Sequence, residues 1–135
     1  MLKSKKKLII SSLLGLCLLG VFAMSASAAY QKFNCSYAGL ECRGVKVTSY
    51  GTAVAYSDYV YATTGQDLAV SNSSDGPFNL VTQLVDSSGN VFTPEIGFEK
   101  TVYVNVPKSG NYRVKVTCKD TSTSERCTGQ GSVSE

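Results

Sequence analysis

The chain has 135 residues, carries 13 Lys and Arg against 10 Asp and Glu for a formal charge of +3, and contains neither histidine nor tryptophan. The missing histidine excludes Ser-His-Asp and Cys-His nucleophile activation, imidazole acid–base catalysis and His-ligated metals together. The small positive charge is concentrated in the first seven residues, so it is no footprint for nucleic acid.

Lys3, Lys5, Lys6 and Lys7 precede an apolar stretch from Leu8 to Met24, and Ser25-Ala26-Ser27-Ala28-Ala29 follows. A charged start, an apolar run and small residues at Ala26 and Ala28 form the pattern of a secretory signal cleaved between Ala28 and Ala29. The run approaches the roughly 20 residues of a membrane span. It ends, however, in a cleavage pattern with no basic stop-transfer cluster behind it, so no stable membrane insertion is expected. Leu14-Gly15-Leu16-Cys17 has Leu where a lipobox needs a small residue, and Cys17 is expected to depart with the signal. The expected organisation is a removed signal at 1–28 and one exported domain at 29–135, secreted or extracellular and bacterial in character. That domain keeps nine of the 13 basic residues against all 10 acidic ones, a net charge of −1.

Four cysteines remain, Cys35, Cys42, Cys118 and Cys127. An even number in a small exported domain reads as two disulfides. The local pairs Cys35–Cys42 and Cys118–Cys127 are favoured because each closes a short polar or glycine-containing loop; a cross-link between the two ends of the domain is the alternative. Neither spacing matches the close knuckles of structural zinc, so no metal is expected.

Downstream of Cys42 the apolar periodicity is 2 rather than 3.6, which predicts strands. Gly44 to Tyr50, Thr52 to Thr63 and Asp67 to Asn72 are strand candidates separated by Gly51, Thr64-Gly65 and Ser73 to Pro77. Phe78 to Val85 is another, closed by Asp86-Ser87-Ser88-Gly89-Asn90, with Val91-Phe92-Thr93 starting a return strand. Val102, Val104 and Val106 alternate with polar residues, and Pro107 to Asn111 is a turn. In Tyr112 to Lys119 one face is Tyr112, Val114, Val116 and Cys118, the other Arg113, Lys115, Thr117 and Lys119, a half-buried strand. After Cys127 the tail is small and polar, expected to fray unless Thr128 to Val133 completes an edge strand. The sum is an all-β protein, a small antiparallel β-sandwich of six to eight strands, immunoglobulin-like or jelly-roll-like, with a small barrel as the alternative. Phe78 to Lys119, with its strand-Ser-Gly-Asn-strand rhythm and Pro-Lys-Ser-Gly-Asn-Tyr-Arg-Val-Lys-Val run, resembles part of the extracellular sandwich modules appended to secreted bacterial enzymes, such as pre-peptidase C-terminal domains. The resemblance implies a sandwich fold and transfers no functional residue.

Three groups of residues are candidates for function. Glu95 and Glu99 offer a carboxylate pair of the glycosidase kind. Asn72, Asp75, Asp86 and Asn90 offer oxygen ligands in turns, although Asn and Asp there ordinarily bond their own backbone. Tyr50, Tyr56, Tyr59 and Tyr61 offer flat amphipathic rings suited to stacking on sugars or to protein contacts, with Tyr59 and Tyr61 on one face of a regular strand. The favoured reading is a non-catalytic extracellular binding module without cofactor, whose partner is a cell-wall glycan or an extracellular protein. A secreted bacteriocin-like protein and a small carboxylate-dependent hydrolase are the alternatives.

Overall fold

The computed structural model describes residues 28–35, 39–74, 80–119 and 126–135. The signal expected at 1–28 lies outside these residues except for Ala28, which packs against the edge of the core, and Ala29 is the first residue of a strand. No helix among the described residues is long and apolar enough to cross a membrane.

Among the described residues nine strands form two antiparallel sheets: β1 (Ala29–Asn34), β2 (Cys42–Tyr50), β3 (Ala53–Tyr56), β4 (Val60–Ala62), β5 (Asp67–Ser74), β6 (Leu80–Asp86), β7 (Thr101–Asn105), β8 (Gly110–Cys118) and β9 (Arg126–Ser134). The first sheet runs β1-β2-β9-β5-β7, and the second is built around β8. β6 pairs with β8 from Leu80 opposite Cys118 to Asp86 opposite Tyr112, which occupies one whole side of that strand. β3 and β4 therefore share its other side, end to end, against Cys118 to Lys115 and Tyr112 to Gly110 respectively. Thr82 and Val85 make single bridges to Ile96 and Val91, so the return after the Asp86 hairpin is a bridged loop rather than a regular strand.

The alternation read from the sequence is what fills the space between the sheets. Val45 and Val47 of β2, Leu68 and Val70 of β5 and Val133 of β9 meet Val60 of β4, Leu80 and Leu84 of β6, and Val114 and Val116 of β8, all buried. Burying each such side chain contributes about 1.5–3 kcal/mol. Tyr112 lies in the core at the start of β8; its hydroxyl donates to the Lys108 carbonyl and its ring meets Phe92 edge-on at 5.4 Å. This anchors the turn that carries the chain from β7 in one sheet to β8 in the other, so the expected Pro107–Asn111 turn is a sheet-to-sheet connection.

Both disulfides join the local pairs. Cys35–Cys42 ties β2 to the end of β1, with Cα atoms 4.9 Å apart, and Cys118–Cys127 ties β8 to β9 across the sandwich, with Cα atoms 6.1 Å apart. The second is buried in the core.

Two expectations are corrected. The strands number nine rather than six to eight, because Ala29–Asn34 forms an edge strand and the run from Thr52 to Thr63 is broken in two. The tail after Cys127 neither frays nor lies at an edge: β9 is the central strand of its sheet, paired with β2 and β5. Its inner face is Cys127, Gly129, Gly131 and Val133. A Cβ on Gly131 would stand 2.6 Å from both Thr82 Oγ1 and Val116 Cγ2 of the opposite sheet, so this strand packs close by having no side chain there. The space above Gly131 is used by its register partner Asn72, whose buried amide donates to Thr82 Oγ1 at 3.0 Å and the Leu80 carbonyl at 3.2 Å.

Candidate functional site

β3 and β4 do not follow one register. Against β8, Tyr56 is opposite Lys115 while Val60 is opposite Tyr112, which leaves three residues, Ser57-Asp58-Tyr59, over the two positions Val114 and Arg113. One extra residue in an edge strand is a bulge, and it resets which side chains face out. Ala53, Ala55 and Ser57 point inward, then Val60 and Ala62, while Asp58 and Tyr59 both point outward. The bulge is held by Ser57, fully buried: its amide donates to the Val114 carbonyl and its hydroxyl accepts from the Val114 amide, each at 3.1 Å. In an unbroken strand Tyr56 would face opposite to Tyr59 and Tyr61. Here all three stand on the outer face of the second sheet, 37 %, 36 % and 54 % exposed.

Arg113 projects from β8 into this group. Its guanidinium carbon lies 4.1 Å from the centroid of Tyr56 and 4.7 Å from that of Tyr59, stacked on both rings. Each cation–π contact of this kind contributes about 0.5–1 kcal/mol at an exposed site. Arg113 Nε is buried without a hydrogen-bond partner, and among the described residues no carboxylate pairs with this guanidinium. The nearest acid of the bulge, Asp58, is engaged by Lys32 of β1 at 2.8 Å. A groove of about 300 Å³ continues from Arg113 and Tyr56 past Val54 to Tyr30 and Lys32.

The Lys32 hydrogen bond and charge hold the Asp58 carboxyl below its usual value of 3.8. A depressed folded pKa means that the pair adds stability above the unfolded pKa and loses it as pH falls through the folded value, below 3.8. Lys32→Ala is therefore expected to return the Asp58 pKa upward toward 3.8, read by carboxyl-carbon NMR titration; an unmoved pKa would show that the pair does not persist in solution.

The remaining sequence candidates are dispersed. Tyr50 is exposed but ends β2 in the other sheet, opposite Arg126, and is not part of the tyrosine face. Glu95 is engaged on the surface by Lys119, and Glu99 sits exposed in a turn with φ 47°. The would-be calcium ligands do not meet. Asn72 donates to Leu80 and Thr82 at the start of β6, whereas Asp86 lies at that strand's other end, four to six residues and about 13–20 Å along it at 3.3 Å per residue. There Asp86 accepts from the amides of Ser88 and Asn90 and from the Asn90 side chain, which holds its carboxyl below 3.8. Asp75 lies outside the described residues. No three acidic or cysteine side chains are grouped to hold a metal among the described residues.

Arg113 was not singled out by the sequence, where it reads as an ordinary solvent-facing residue of a strand. The bulge had a signal. The small and apolar inward positions change parity between Ala55 and Val60, from odd to even, which requires one extra residue.

No protein-family model and no curated protein matches the chain. Among solved structures, the chain is similar to Aeromonas hydrophila PliG, a periplasmic lysozyme inhibitor of g-type lysozyme, at 19 % identity and a TM-score of 0.46 over 84 % of this chain and 90 % of that one.

Proposed function

We propose that this is an exported, non-catalytic binding protein that engages a macromolecular ligand through the outer face of its second sheet, with Tyr56, Tyr59, Tyr61 and Arg113 as the contact residues. The observation that carries the reading is the bulge at Ser57-Asp58-Tyr59, which gathers three exposed rings around one guanidinium on a single face. Tyr and Arg are the residue types that dominate binding hot spots, because they bring large contact area at low entropic cost. Stacking Arg113 against two rings removes further freedom before any ligand arrives, so less is lost on binding. The two disulfides suit an oxidising compartment, in keeping with the signal pattern. Glu95 is engaged by Lys119 on the open surface, which favours the binding reading over a carboxylate-dependent hydrolase.

The test is retention of the purified, oxidised protein on bacterial cell walls, insoluble polysaccharides and immobilised extracellular proteins, beside a Tyr59→Ala/Tyr61→Ala variant. Both rings are exposed, so the variant is expected to fold normally and to lose about tenfold or more of its retention on the matrix that binds the native protein. Equal retention of the two would contradict the proposal.

A further inference from the structure

The groove beside Arg113 says more about the ligand, on the reading that this face binds. Its lining includes two cations, Arg113 and Lys32, and no carboxylate; Tyr30, Val54 and Tyr56 make the walls. Lys115, opposite Tyr56 on the same face, adds a third cation, and Asp58 opposes them. The Arg113 guanidinium stands over the Tyr56 and Tyr59 rings with its Nε buried, so what it offers a ligand is its terminal edge, a planar fork of N–H donors. That fork matches a carboxylate, and partial exclusion of water by the rings strengthens the bond. Among the described residues the strands bordering the groove are both sheet edges: β1 pairs only with β2, and β3 only with β8. Each leaves backbone N–H and C=O groups that an extended peptide can satisfy and a polysaccharide does not need.

We infer that the groove between β1 and β3 takes an extended acidic segment of a partner protein, with a carboxylate on the edge of Arg113 and a neighbouring apolar or aromatic side chain against Tyr30 and Tyr56. The test is fluorescence anisotropy of the full oxidised protein with a labelled random Glu-Tyr copolymer, a Lys-Tyr copolymer of the same length, and polygalacturonate as a carboxylate-bearing glycan. The Glu-Tyr copolymer is expected to bind, the Lys-Tyr copolymer not to. Arg113→Lys keeps the charge and loses the fork, and is expected to weaken binding about tenfold. Lys32→Ala, on an exposed edge strand where folding is not at stake, is expected to weaken it about threefold. No binding of the Glu-Tyr copolymer, equal binding of the Lys-Tyr copolymer, or unchanged binding by both variants would overturn the inference. Polygalacturonate binding as tightly with the same dependence on Arg113 would overturn the peptide assignment. Tyrosine-dependent retention that Arg113→Lys leaves intact would sink the carboxylate contact while the binding face stands; retention that also ignores Tyr59 and Tyr61 would sink both.

Discussion

Gly131→Val is expected to destabilise the protein by about 3–4 kcal/mol, the sum of an overpacked core and a broken buried hydrogen bond. Gly131 lies at the centre of β9, between β2 and β5, and faces the second sheet. A Cβ there would already stand 2.6 Å from Val116 Cγ2 and from Thr82 Oγ1, and both neighbours are β-branched side chains with little rotamer freedom to yield. Moving Thr82 also strands the Asn72 amide that bonds it, in a place where that amide has no water to turn to. Against a typical domain stability of about 5–15 kcal/mol such a loss is large. Urea unfolding checks it: a midpoint shift worth less than about 1 kcal/mol would show that the sheets can separate locally at no great cost.

Removing Cys118–Cys127 by Cys118→Ala/Cys127→Ala is expected to cost about 3 kcal/mol, and removing Cys35–Cys42 in the same way about 1–2 kcal/mol less than that. Chain entropy alone does not separate them. The bridges close loops with sequence separations of 9 and 7, a difference worth only about 0.2 kcal/mol by the logarithmic dependence on loop length. What differs is what each bridge joins. Cys118–Cys127 connects the central strands of the two sheets and is buried with Val116 and Val133 in one core, whereas Cys35–Cys42 ties down the largely exposed edge strand β1. Equal losses in paired thermal or urea unfolding would mean that loop closure is the whole effect and the cross-sheet position adds nothing.

The parts of this fold that were legible in the sequence are those where burial is made of apolar side chains. Tyr112, Val114, Val116 and Cys118 alternate with Arg113, Lys115 and Thr117, and β8 is indeed buried on the first set and half-buried on the second. The disulfide pairing was legible because short loops between cysteines limit geometry. β9 was not, because its inner face is built from glycines that make room instead of filling it, and a hydrophobic pattern is silent where the packing element is an absent side chain. The tyrosine cluster is visible in the sequence as a cluster, whereas its full geometry is not. Tyr50 is near the others in sequence but lies in the other sheet, while Tyr56 joins Tyr59 and Tyr61 only because of a bulge whose buried Ser57 looks like any polar residue of a strand. Arg113 was invisible as a partner since strand pairing between residues more than fifty positions apart leaves no local trace.

The central claim is that binding belongs to one face of the molecule, and Tyr103 provides the internal control. It is the most exposed large hydrophobic side chain among the described residues, at 75 %, and stands on β7 at the edge of the first sheet, whereas Arg113 lies on β8 of the second. The decisive measurement is retention of Tyr59→Ala/Tyr61→Ala and of Tyr103→Ala beside the native protein on the matrix that binds it. Loss confined to the double variant, with Tyr103→Ala retained like the native protein, is the predicted result. Equal loss in both, or in neither, would contradict a binding site on the tyrosine–arginine face.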